Sequence, residues 1–192
     1  MNTSKNITVY CGSSASLPES LLESAREVGR EIAAAGATMV YGAGRTGLMG
    51  AAADAALGAG AAVTGVIPEF MVERGWHHQG LTRIEVTDTM HTRKARMLEL
   101  AAGVIALPGG IGTFEEITEA MTWRQLGLYS GNVVILNAEG YYDSLIGQLR
   151  KAVELGFMKP DHLAAVKIAT TPRQAVEMAL APAPELTFTP KF

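Results

Sequence analysis

Short apolar segments alternate with segments of helical period along almost the whole of this chain, and that alternation leaves few folds open. "ITVYC" (7–11), "TMVY" (38–41), "AAVTGVI" (61–67), "RIEV" (83–86), "VIAL" (104–107), "NVVIL" (132–136) and "AVKIA" (165–169) are short and mostly β-branched, which predicts strands. Between them lie helix-like stretches over 17–36, 48–60, 90–103, 112–127, 141–156 and 171–180. In the first of these, Leu21, Leu22, Val28 and Ile32 fall near helical spacing, and Pro172 stands near the start of the last. Residues 68–82 show no clean period and read as a loop with one helical turn at most. Apolar strands without polar alternation belong in a parallel sheet buried on both faces. The expected fold is therefore α/β, a Rossmann-like doubly wound parallel sheet of about seven strands with helices on both faces. The 192 residues suit one domain, expected over 1–181, with a proline-rich irregular tail over 182–192.

Sheets of this kind bind ligands at the carboxyl ends of their strands. Three glycine-rich loops fall there: "CGSS" (11–14), "GAGRTG" (42–47) and "PGGIGT" (108–113). Glycine lets the backbone approach a ligand closely, and a following helix offers free N–H groups and a partial positive charge, so a phosphate is the natural guest. Each loop taken alone could be a tight turn; three together favour a site. "GAGRTG" fits the dinucleotide pattern, with Glu69 near the ribose-binding position, but it follows the second strand rather than the first. In "PGGIGTFEE", Gly109, Gly110 and Gly112 surround Ile111, Thr113 adds a hydroxyl, and Glu115 and Glu116 are placed in the first helical turn, where the helix dipole favours carboxylates. A phosphate in the loop would repel them, so at least one should face a sugar or a water.

Composition narrows the function. The net charge is −3, with no basic stripe, which argues against nucleic acid. Cys11 is the sole cysteine, so no internal disulfide can form, as suits a reducing cytosol. The N-terminus is too short and polar for a signal peptide, and the longest apolar stretch, 50–67, contains Asp54 and several glycines, so no membrane span is expected. The expected location is cytoplasmic. His77 and His78 are adjacent, with no cysteine or clustered acid to complete a ligand set, so they read as loop residues and no metal is expected.

"YCGSS", "VYGAGRTGLMG", "GVIP", "DTMHTRKARM", "ALPGGIGTFEE" and "MTWRQLG" occur in the order found in the LONELY GUY family, and the resemblance runs from about residue 7 to 180. These are cytokinin riboside 5′-monophosphate phosphoribohydrolases, often mislabelled lysine decarboxylases. Pro108 to Glu116 meet the family's P-G-G-x-G-T-x-x-E in full, and Met90, Arg93 and Lys94 match a second stretch. One departure is Ala43, where many members carry glycine; its small side chain predicts little consequence.

The resemblance implies hydrolysis of the N-glycosidic bond of a purine nucleoside 5′-monophosphate, to free base and ribose 5-phosphate, with no metal or redox cofactor. It also implies a homodimer with the active site near the subunit interface. By it, Glu116 and Arg93 are catalytic, and Gly109, Gly110, Ile111, Gly112, Thr113, Lys94, Glu115, Thr122, Glu73 and Met90 bind substrate. The residue types suit the chemistry. Breaking a glycosidic bond builds positive charge on the sugar, which a carboxylate stabilises while orienting or deprotonating water. Arg93 could neutralise the departing base, or hold phosphate or ribose. Met90 packs on the purine or belongs to the core. A Schiff base at Lys94 has no supporting pyridoxal phosphate motif. Two rivals remain: a non-catalytic nucleotide or molybdenum-cofactor binding protein on the same scaffold, against which Arg93 and Glu116 argue, and a nicotinamide oxidoreductase using "GAGRTG".

Overall fold

The computed structural model describes residues 5–184; the tail beyond lies outside the described residues. Its strands are β1 (Asn6–Tyr10), β2 (Thr38–Tyr41), β3 (Val63–Pro68), β4 (Arg83–Thr87), β5 (Gly103–Ala106), β6 (Asn132–Leu136) and β7 (Val166–Ala169). The helices are α1 (Glu19–Ala34), α2 (Gly47–Gly58), α3 (Glu69–Glu73), α4 (Met90–Leu100), α5 (Ile111–Gln125), α6 (Asp143–Glu154), α7 (Pro160–Ala164) and α8 (Pro172–Leu180). All seven strands are parallel, in the order β4-β3-β2-β1-β5-β6-β7. The chain winds outward one way from β1 and then restarts on its other side at β5. The carboxyl ends of β1 and β5 therefore flank a topological switch point, where a crevice opens.

Strand side chains alternate between two apolar layers. Ile7 and Val9 of β1, Ile105 of β5, and Val134 and Leu136 of β6 pack with Val28 and Ile32 of α1, Ala52 and Ala56 of α2, and Val176 of α8. Tyr10, Val104, Ala106, Val133 and Ile135 face the other way, onto Met97 of α4, Ile117 of α5 and Ile146 of α6. Burying each such large aliphatic side chain contributes about 1.5–3 kcal/mol. This double burial is why the strands read as continuous apolar runs. Thr8, Thr64 and Asn132 are the buried polar residues among the described strands; the Thr8 hydroxyl donates to the Met97 carbonyl at 2.8 Å and the Asn132 amide to the Ala181 carbonyl at 2.7 Å.

Some local expectations need correction. Residues 69–73 form α3, the single turn allowed in the loop. The helix expected over 141–156 begins at Asp143, because Glu139 (φ 52°) and Gly140 (φ 73°) hold the preceding 3-10 turn, Ala138–Gly140, out of line with it. α7, opened by Pro160 at its first position, was not foreseen. Ala43 matters more than its size suggests. It is fully buried at φ 60°, a left-handed conformation that costs a residue with a Cβ about 1–2 kcal/mol.

Candidate active site

A cavity of about 880 Å³ runs along the carboxyl edge of the sheet. It is walled by the loops after β1, β2, β3, β5 and β6, and by the first turns of α4 and α5. The loops brace one another. The Gly12 N–H donates to the Pro108 carbonyl at 3.0 Å, the Thr46 hydroxyl to the Ser13 carbonyl at 2.7 Å, and the His78 N–H to the Ala43 carbonyl at 2.9 Å. His78 also pairs with Asp54 through Nε2 at 2.8 Å and accepts the Gly80 N–H on Nδ1 at 3.0 Å, so it fastens its loop. Among the described residues no three metal-ligating side chains cluster, and no helix is long and apolar enough to cross a membrane.

The two glycine-rich helix starts differ. At α2 the Leu48 and Met49 N–H groups already donate to the Gly12 carbonyl, at 2.9 and 3.3 Å. That end is spent on protein, and Glu69 is exposed and off the cavity wall. Both facts count against a dinucleotide on "GAGRTG". At α5 the first N–H to return into the helix is that of Phe114, onto Gly110 at 3.0 Å, which leaves the preceding N–H groups without intrahelical partners. Gly110 and Gly112 have open space where a Cβ would stand, and neither takes a positive φ. Neither packing nor backbone conformation asks for glycine at these positions. Gly109 differs, because a Cβ there would run into Thr113.

Beside this bare helix end sits a buried ion pair. A guanidinium nitrogen of Arg93 lies 3.4 Å from Glu116 Oε1, each side chain only 6% exposed. Arg93 enters from α4, whose first turn is fixed by a reciprocal cap: the Thr92 N–H donates to the Thr89 hydroxyl and the Thr89 N–H to the Thr92 hydroxyl, both at 3.1 Å. Arg93 Nε donates to the Val66 carbonyl at 3.2 Å, and a Cβ on Gly42 would overlap its guanidinium. Glu116, like Glu115, lies in the second turn of α5, not the first, because the helix begins at Ile111. Burial pushes its carboxyl up to about 7, although Arg93 pulls the other way.

The cavity thus brings together Gly109, Gly110, Gly112, Thr113, Met90, Arg93 and Glu116. Ile111, Lys94, Glu115, Thr122 and Glu73 do not line it. Lys94 is buried beside α5, bonded to Glu115 and, at 3.1 Å, to Glu119; burial lowers its pKa, but these hydrogen bonds outweigh burial and hold it above the usual lysine range. Ile111 is 83% exposed, Glu73 is exposed at the end of α3, and the exposed Thr122 donates to the Thr118 carbonyl at 2.8 Å. Tyr141, Met71 and Trp76 line the cavity and were not foreseen. Their place after β6 and β3, on the ligand-binding edge, was the only signal available.

A family profile described as "Possible lysine decarboxylase" matches residues 49–179. A cytokinin riboside 5′-monophosphate phosphoribohydrolase of Rhodococcoides fascians is 44% identical over 82% of this chain and 80% of its own length. One from Arabidopsis thaliana is 43% identical over 81% of this chain and 73% of its own. The chain belongs to the LONELY GUY family. Other solved folds resemble this LONELY GUY chain at low identity. A molybdenum cofactor binding protein of Rippkaea orientalis superposes with a TM-score of 0.69 at 22% identity, covering 90% of this chain and 93% of that one. The molybdenum cofactor carrier protein of Chlamydomonas reinhardtii gives 0.68 at 22%, with the same coverage. These two establish the shared architecture of the LONELY GUY scaffold and nothing about its ligand.

Proposed function

We propose that this chain hydrolyses the N-glycosidic bond of purine nucleoside 5′-monophosphates, cytokinin riboside 5′-monophosphates or AMP, releasing free base and ribose 5-phosphate. The observation that carries this reading is the buried Arg93–Glu116 pair beside an open, glycine-lined helix start. The 5′-phosphate sits on the free N–H groups at the start of α5, with the Thr113 hydroxyl beside it. Glu116 follows Ile111 by about 7.5 Å along the axis, and its side chain leans back toward the helix start. That spacing suits a ribose anchored by its phosphate.

The C1′–N bond breaks as positive charge gathers on the sugar, which ionised Glu116 stabilises. A water oxygen bonds to C1′, its proton passes to Glu116, and the bond's electron pair leaves with the base, which takes up a proton from solvent while Glu116 returns its own to solvent. Arg93 holds Glu116 and supplies fixed positive charge for the leaving base or the ribose oxygens. The base extends along the sheet edge, away from β5, toward the apolar wall of Ile67, Met71, Trp76, Met49 and Met90. Glu73 and Thr122, exposed and off their own chain's cavity, are the substrate-binding candidates that a second copy would contribute in a homodimer. Incubation with AMP and with isopentenyladenosine 5′-monophosphate, followed by chromatography for free base, tests the reading. Base release lost in Glu116→Gln supports it; no release from either substrate overturns it.

A further inference from the structure

Two adjacent tyrosines from the β6–α6 turn reach back to the glycine loop. The Tyr142 hydroxyl donates to the Leu107 carbonyl at 2.6 Å, in the buried core. The Tyr141 hydroxyl donates to the Gly109 carbonyl, and Tyr141 itself is 43% exposed and lines the cavity. The two contacts differ in what they hold. Leu107 precedes Pro108, so the peptide that Tyr142 grips carries no N–H. The peptide that Tyr141 grips joins Gly109 to Gly110, and its N–H belongs to the residue that caps α5.

A trans peptide is planar, so fixing the carbonyl of Gly109 turns the N–H of Gly110 to the opposite side. A link between two glycines is also the softest in the loop. Gly110 has open space where a Cβ would stand, and among the described residues nothing but this hydroxyl is bonded to the Gly109 carbonyl. Rotating that peptide would carry a carbonyl oxygen to where the N–H points, and a carbonyl repels an anion. The Tyr141 ring is itself seated. It stacks on Phe114 at 6.4 Å between centroids and meets Tyr142 edge-on at 5.0 Å, so the hydroxyl is delivered from a fixed position.

We propose that Tyr141 is a positioning residue for the phosphate of the substrate: its hydroxyl locks the Gly109–Gly110 peptide in the orientation that presents an N–H to a phosphomonoester at the start of α5. The inference rests on the phosphate cradle in the proposed function and goes beyond it, since Tyr141 acts through the loop and touches no reacting atom.

The test is calorimetric binding of ribose 5-phosphate and, separately, of adenine to the full chain, its Tyr141→Phe variant and its Tyr142→Phe variant, each checked by thermal melting. Tyr141→Phe keeps both ring contacts and loses one hydrogen bond. We expect ribose 5-phosphate to bind about three- to tenfold more weakly, adenine to bind unchanged, and the melting temperature to move little. Tyr142→Phe is expected to lower the melting temperature without that selectivity. Unchanged ribose 5-phosphate binding in Tyr141→Phe, or equal weakening of both ligands, overturns the proposal. Wild-type protein that binds ribose 5-phosphate but releases no base from a nucleotide would sink the hydrolase reading and leave this one standing. Wild type that does not bind ribose 5-phosphate at all overturns this proposal, and base release from a nucleotide then decides the hydrolase reading by itself.

Discussion

Glu116→Gln should make this protein inactive and, at alkaline pH, more stable. The carboxyl is raised from 4.5 to about 7 because burial penalises its charged form more than Arg93 compensates. Below pH 4.5 the group is protonated in both the folded and unfolded chains and has no differential effect. Between the two values the folded chain keeps a proton that the unfolded chain has lost, so wild-type stability falls as pH rises. The shift of roughly 2.5 pH units corresponds to about 3 kcal/mol, fully lost above pH 7. Glutamine has nearly the same shape and cannot ionise, so its stability curve lacks this descent. The stability of Glu116→Gln minus that of wild type should therefore grow by about 3 kcal/mol from pH 4.5 to pH 8, equivalent to roughly 6–12 °C in melting temperature for a chain of this size. Urea unfolding of both proteins across that range measures it. Parallel curves, differing by a constant, would refute the claim that a desolvated carboxylate is held here at the expense of the fold.

Four further outcomes follow from the same geometry. On the proposed role of ionised Glu116, kcat/KM for AMP should rise with pH through an apparent pKa near 7; a flat profile from pH 5 to 8 would exclude that role. Arg93→Gln removes the leading group that lowers the Glu116 pKa, so any residual activity should titrate at higher pH than wild type as well as fall. Gly110→Ala meets no protein atom, so unfolding should show stability within about 0.5 kcal/mol of wild type while the KM for AMP rises roughly tenfold; a stability loss with unchanged KM would mean that the glycine serves the fold. Trp76→Ala should raise KM for an N6-prenylated nucleotide about tenfold more than for AMP, as steady-state kinetics on the two substrates would register.

Much of this was legible in the chain. Runs such as "VIAL" (104–107) and "VVIL" (133–136) are apolar throughout because both of their faces are covered, and that pattern alone indicates a parallel sheet. Loop chemistry pointed to the edge of the sheet where the cavity lies. Burial was not legible. Glu115 and Glu116 are neighbours of one residue type, yet the first is half exposed beside Lys94 and the second is sealed against Arg93. Their places on α5 separate them: Glu116 lies on the buried face with Ile117 and Ala120, and a face that also carries Thr113 and Arg124 does not read as buried. The small size of Ala43 is visible in the sequence, and its left-handed backbone angle is not. Tyr141 was missed because its contact spans 32 residues and carries no local signature.

The ring of hydrogen bonds between Thr89 and Thr92 has a kinetic side. Helix ends open and close far more often than helix middles, and Arg93 stands only one turn from such an end. Without its cap, α4 would spend part of its time with that turn melted, the guanidinium swung away and Glu116 left as a lone buried acid. Two threonines, neither of which lines the cavity, therefore hold the turn from which Arg93 reaches Glu116.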